Sequence, residues 1–254
     1  MKSLSILTFL LVTKITLAQD NSSEETTKPG APKGFVYGAG ISQQQQIYKG
    51  FDQRTIAIPL LGYVGEKFNV FGPFISYSMI KNDNWKFDLN LSPRFSGYDE
   101  NDSDFFVGMK DRKDSLDAGF TAKYNPNQWS YQFKALTDVL SNSNGTDVEF
   151  NLARKFKVNY LTIEPSISIN HLDQNLTDYY YGVQTDEATE NRAFYEGAST
   201  VNKSLKLSLS HPVPIGLVRL DLDNTWYGSG ITDSPLVEDD KALGLRLFFI
   251  GFFK

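Results

Sequence analysis

The chain has no cysteine. Disulfides and thiolate metal sites are therefore excluded, and an exported, cysteine-free protein fits the bacterial envelope. Histidine is nearly absent as well. His171 and His211 cannot supply the three or four His, Cys or carboxylate ligands that a zinc site needs. Net positive charge is missing: the balance is −5 at pH 7 and the pI is near 5.1, which argues against a nucleic-acid partner. There is no P-loop, dinucleotide fingerprint or nucleophile elbow. Ser168 and Ser210 stand close to the two histidines in sequence, but such closeness is not the signature of a catalytic triad. No catalytic, cofactor-binding or metal residue is assigned, and a non-enzymatic protein without a cofactor is expected.

The chain also lacks a long apolar run. "MKSLSILTFLLVTKITLAQD" has a basic start at Lys2 and an apolar stretch from Leu4 to Val12, too short to span a membrane as a helix. It reaches Thr16-Leu17-Ala18, a small-x-small cleavage site, so residues 1–18 read as a signal peptide. Residues 19–33 are polar and rich in Ser, Thr and Pro, and read as a flexible lead-in. From Gly34 to the end the texture is uniform, which predicts one domain over 34–254.

What the chain has in abundance is period-two alternation. Trp85 to Ser92, "WKFDLNLS", places an apolar residue at every second position. Leu116, Ala118, Phe120, Ala122 and Tyr124 form another apolar row, and Trp129, Tyr131, Phe133 and Ala135 a third. About twelve such segments are legible: near 34–42, 52–64, 67–79, 84–96, 115–125, 128–138, 147–157, 160–170, 177–184, 200–210, 215–227 and 243–253. Ten strands is the alternative. Tight connections such as Asn125-Pro126-Asn127 and Val158-Asn159 favour antiparallel neighbours. The run Gln43 to Gln46 reads as an exposed loop.

Alternation alone suits a soluble sandwich as well as a membrane barrel. Three features favour the barrel. Charges of both signs sit in mid-strand on the wet face, among them Lys86, Asp88, Arg94, Lys134, Glu149, Arg219 and Asp221. Aromatics are plentiful, with 19 Phe, 13 Tyr and 3 Trp, many near segment ends as in an interfacial girdle. The chain closes on "LGLRLFFIGFFK", with Leu243, Leu245, Leu247, Phe249 and Phe253 on one face of a last strand. A strand in lipid must have every backbone group paired within the protein, so the sheet must close. The expected fold is all-β, a closed antiparallel transmembrane barrel in the bacterial outer membrane, in contact with lipid and lipopolysaccharide. Pro59, Pro73, Pro93 and Pro165 interrupt strand-like segments, where each removes a ladder donor. Residues 97–114, with all twelve segments taken as strands, fall on the periplasmic side, an unusually long connection for that face.

Two stretches are more specific. One runs from Gly108 through Met109-Lys110-Asp111-Arg112-Lys113-Asp114-Ser115-Leu116-Asp117-Ala118-Gly119; the other is Tyr180-Tyr181-Gly182-Val183 followed by Glu187-Ala188, Arg192 and Tyr195. With Ile58-Pro59 and Tyr63, they resemble the MipA/OmpV family of outer-membrane proteins across nearly all of the mature chain. The resemblance implies an outer-membrane barrel. From the namesake member it implies a scaffold that joins a lytic murein transglycosylase to a peptidoglycan synthase. Other members are associated with adhesion and with osmotic or antibiotic response. A small-solute pore is the alternative function. Read from the residues alone, "DRKDSLD" is a charged turn whose Arg112 and Asp114 pair with lumen charges, and "TDEATENR" is a solvated loop whose spacing is not that of a calcium loop.

Overall fold

The computed structural model describes residues 33–253. The expected signal peptide and all of the lead-in except Lys33 lie outside the described residues. Thirteen strand segments form a single sheet. They are β1 (Gly34–Tyr48), β2 (Phe51–Val64), β3 (Phe68–Phe71), β4 (Phe74–Lys81), β5 (Trp85–Arg94), β6 (Ser115–Tyr124), β7 (Trp129–Asp138), β8 (Thr146–Arg154), β9 (Phe156–Val158), β10 (Leu161–Leu172), β11 (Thr200–Val213), β12 (Gly216–Trp226) and β13 (Lys241–Phe252). Two short helices, α1 (Gln174–Tyr181) and α2 (Ser229–Thr232), lie between strands. Segments β8 and β9 both pair with β10 and are broken only at Lys155, so they act as one strand. The sheet closes where β10 pairs with β11 and β1 with β13, giving a twelve-stranded antiparallel barrel.

The total of twelve matches the expectation, but two segments differ from it. Residues 67–79 hold two strands, because Gly72 (φ 55°) and Pro73 turn the chain between β3 and β4. Residues 177–184 hold no long strand. Most of them lie in α1, where the Asp173 carboxylate accepts from the Leu176 N–H and caps the first turn. These two differences cancel in the count, but together they change every parity between residues 72 and 199. The long 95–114 connection therefore moves to the end that also carries 139–145, 173–199 and 227–240. The other end has only the turns at 65–67, 82–84, 125–128, 159–160 and 214–215. Asn127 (φ 55°) and Asn159 (φ 54°) shape two of those turns. Short turns face the periplasm in bacterial barrels and longer loops face outward. Gln43 to Gln46 belong to β1, not to a loop: Gln43 and Gln44 pair with both β2 and β13, Gln45 pairs with β2, and Gln46 lies in the register shift that follows.

The alternation sorts the two faces as read. Lys86, Asp88, Asn90, Ser92 and Arg94 line the lumen, opposite Lys123, Thr121, Gly119, Asp117 and Ser115. Trp85 and Leu89 are exposed on the outside, and Phe87 stacks there on Phe120. An aromatic girdle marks the turn end, with Trp85 against Tyr124, Tyr124 against Tyr131 and Phe35 against Tyr63. Arg154, the charge on an apolar row, lies over the rings of Trp129 and Phe156, where a cation can leave water at low cost.

Candidate functional site

The lumen has two unlike walls. On β5 to β8 and on β11 to β13 it is charged and paired. Asp88 is 5% exposed and accepts from Lys86 Nζ at 2.7 Å and Ser78 Oγ at 2.6 Å. Arg94 on β5 binds Asp117 on β6 at 2.7 Å and reaches Asp147 on β8 at 3.0 Å, a chord across the interior. Lys134 faces Glu149, Arg219 and Lys206 share Asp221, and Arg246 contacts Asp223. The register forces several of these meetings: Lys134 directly faces Glu149, and Lys206–Asp221 and Arg246–Asp223 are diagonal neighbours on adjoining strands, while Lys86–Asp88 and Arg219–Asp221 stand two apart on one strand and share its lumen row. The remaining wall is apolar. The register places Val36, Ile56, Ile58, Leu60, Phe74 and Phe248 on the lumen rows of β1, β2, β4 and β13. Phe248 covers Gly40 so closely that a Cβ there would lie 2.4 Å from the ring.

The loop end is closed by a packed cap made of residues 95–114, 173–199 and 227–240. One buried cluster joins Ile47 of β1, Leu172 of β10 and Ala242 of β13 to Leu176, Tyr180, Ile231 and Val237. A second joins Tyr48 to Tyr98, Phe106, Met109, Val183 and Leu236. Strands far apart round the wall are thus tied together across the mouth. Polar bonds fix the same contact. Tyr48 and Tyr98 hydroxyls both donate to the Tyr180 carbonyl, at 3.2 and 3.0 Å, and Tyr180 Oη donates to Lys113 O. Ser234 Oγ donates to Tyr181 O at 2.6 Å, and Tyr195 Oη to Gly230 O at 3.0 Å.

At the centre of the cap Arg112 grips Glu187 through two parallel bonds of 2.9 and 2.8 Å, with both residues buried. Arg112 Nε also donates to Tyr179 O, and Glu187 accepts from the Lys110 and Gln184 N–H groups. Burial pushes the Glu187 carboxyl up, but the bonds from Arg112, Gln184 and Lys110 outweigh it and hold it down at about 2. Arg192 donates to the carbonyls of Glu187, Phe105 and Val107. Burial pushes the Tyr181 hydroxyl up to about 12. Glu187 is therefore charged and Tyr181 neutral near neutral pH.

The two sequence stretches singled out above meet here. Arg112 of the first pairs with Glu187 of the second, and Val183 and Tyr195 bridge by main-chain bonds. Arg112 does not pair with lumen charges as expected, and Asp114 instead accepts from the Gly97 N–H. Nor is "TDEATENR" only a solvated loop, since Glu187 and Arg192 within it are 2% and 4% exposed. No group of His, Cys, Asp or Glu that could hold a metal occurs among the described residues. His171 and His211 lie on outward rows near opposite ends of the barrel, while Ser168 and Ser210 fall on lumen rows, so these four residues do not assemble. Tyr48, Tyr98 and Phe106 were not legible as cap residues; their only signal is that they are aromatics beside loops.

Residues 37–250 match the family described as MltA-interacting protein MipA. The outer membrane protein YiaT of Escherichia coli (strain K12) is 26% identical over 209 residues, 81% of this chain and 85% of that protein. The MltA-interacting protein of the same strain is 26% identical over 216 residues, covering 80% and 84%. Among solved structures the NanC porin overlaps 86% of this chain and 100% of its own, with 8% identity and a TM-score of 0.44, which carries no argument about activity. With the family match spanning both walls of the lumen and all three cap loops, the chain belongs to the MltA-interacting protein MipA family of outer-membrane barrels.

Proposed function

We propose that this barrel is a non-enzymatic docking protein of the outer membrane, holding murein-active enzymes at its periplasmic side. The observation that carries the reading is the cap. A barrel whose outer mouth is knitted shut by an Arg112–Glu187 pair and two aromatic clusters is built to persist as a rigid body. The name of one relative, MltA-interacting protein, supports a murein transglycosylase as the partner. A peptidoglycan synthase is the second component of the proposed assembly, and lipopolysaccharide the proposed neighbour of the outward loops. The docking face is the turn end, where Lys67, Lys81 and Asp83 are exposed.

Photo-crosslinking amino acids placed at 67 and 83 in living cells test this. Covalent adducts with a murein transglycosylase from those sites, and none from position 110 in the cap, are expected. Adducts with bulk lipoproteins alone, or none at all, overturn the reading. A small-solute pore is the second reading, favoured by the charged wall of the lumen, and it requires the cap to open.

A further inference from the structure

The barrel wall has a gap. Between β2 and β5 stands only the β3–β4 hairpin, and it is short. Strand β3 covers β2 from Gly62 to Val64, and β4 covers β5 no further than Leu91. On that side, Phe51 to Leu60 of β2 and Ser92 to Arg94 of β5 pair with no strand among the described residues. With two strands interposed at the hairpin, the opening is roughly 14 Å across at its base, three strand spacings. The prolines fall where such an edge tolerates them. Leu61 O accepts from Gly72 N on the hairpin, so the odd-numbered residues of β2, Pro59 included, turn their backbone to the gap. Leu116 O accepts from Val139 N, so Leu116 makes no bond to the facing Pro93, whose ring nitrogen then points to the gap from the other side. Neither position needs a donor.

A cavity of about 510 Å³ occupies this gap. It touches both faces of β2, the outward Gln53 and Thr55 as well as the lumen-facing Arg54 and Ile56, so it passes round the strand's edge. Arg54 donates to Phe95 O at 2.6 Å and Gly97 O at 2.5 Å. It makes no ion pair among the described residues, whereas the other lumen arginines, Arg94, Arg219 and Arg246, are each paired. Asp102 and Asp114 also border the cavity; they accept from the Asp99 and Gly97 N–H groups and form no ion pair with Arg54 among the described residues. Below Arg54 the lumen row of β2 continues as Ile56, Ile58 and Leu60, part of the apolar wall. The gap thus offers a cation, free main-chain donors and an adjoining apolar track about 13 Å long, the four residue steps from Ile56 to Leu60.

We propose that this lateral gap binds a single-chain anionic amphiphile, a long-chain carboxylate. Its head meets Arg54 and the free N–H groups of β2, and its tail lies along Ile56, Ile58 and Leu60. Unpaired backbone in a membrane wall demands a polar partner, and the head group supplies one. The proposal is independent of the docking role.

The three native tryptophans, Trp85, Trp129 and Trp226, lie on outward rows, so Ile58→Trp adds a reporter inside the track. The full barrel in detergent is titrated with dibromostearate, whose bromines quench nearby indoles. Saturable quenching is expected in the I58W protein. It should weaken by about tenfold or more with Arg54→Gln, the loss of a charge-assisted bond, and recover partly with Arg54→Lys. Folding of each variant is checked by its heat-dependent shift on a gel. Three results overturn the proposal: quenching that does not saturate, binding unchanged in a folded R54Q barrel, or loss in R54K as complete as in R54Q. A fourth is quenching of reconstituted I58W by brominated phosphatidylglycerol that dibromostearate does not displace, which assigns the gap to a bilayer lipid.

Discussion

Arg112 and Glu187 are 75 residues apart, and each is buried with the other as its only ionic partner among the described residues. Removing one member of such a pair costs about 3–5 kcal/mol, because the remaining charge is left dry. Glu187→Gln keeps the shape and one acceptor but loses the charge. It is expected to loosen the cap while leaving the barrel, whose ladder it does not touch, intact. Limited proteolysis reads this: cleavage should become faster within 95–114 and 173–199, with strand content unchanged by circular dichroism. Acid should mimic the substitution. Glu187 is held at about 2 against an ordinary 4.5, so its contribution is fully present above 4.5 and is lost as pH falls through the folded value. Cap cleavage by an acid-active protease should therefore rise between about pH 4.5 and 2 in the wild type and be flat across that window in the Gln variant. A rise of equal size in both would show that another carboxylate controls the cap.

At the scale of the element, strand β5 decides which medium each face meets. Lys86 turned to the bilayer midplane would cost roughly 2–4 kcal/mol, which the observed register avoids. Single cysteines at 87, 88, 89 and 90 in a chain without native cysteines make this measurable. A lipid-borne nitroxide should quench labels at 87 and 89, and positions 88 and 90 should accept only small water-soluble reagents, since Asp88 is 5% exposed. Lipid quenching at 88 and 90 would invert the strand. This much was legible in "WKFDLNLS", because period two needs no tertiary information. The hairpin β3–β4 was not. Residues 67–79 read as one strand from their alternation, and only Gly72-Pro73 signals the reversal. Helix α1 was missed because Tyr179-Tyr180-Tyr181 carries strand propensity, which burial in the cap overrides. Pro165 was legible as a misfit but not as a cause: it lies opposite the break between β8 and β9, where the ladder already lapses. The Arg112–Glu187 contact lay inside the two stretches that carry the family resemblance, yet nothing in either stretch says that they touch.

For the whole molecule, strand number and cap together set conduction. Eight strands leave an interior filled by side chains and sixteen leave a channel. Twelve leave room, but here Arg94 crosses it and the cap covers its mouth. Wild-type protein in planar bilayers is expected to show no stepwise current, and Glu187→Gln to show intermittent steps. Steady open steps in the wild type would favour the pore reading over the docking one.

The seam between β1 and β13 also sets a kinetic order. Val36 pairs with Phe252, so the two ends of the folded chain are neighbours in the wall. Every other ladder except β10–β11 joins strands close in sequence and can zip as a hairpin. Bringing together partners about 200 residues apart carries a loop-closure cost a few kcal/mol above that of a tight turn, when no intervening structure shortens the path. The seam is therefore the step for which the rest of the sheet must wait. Until it forms, β1 and β13 are two open edges facing lipid, so commitment to the membrane rests with the docking of β13 onto β1.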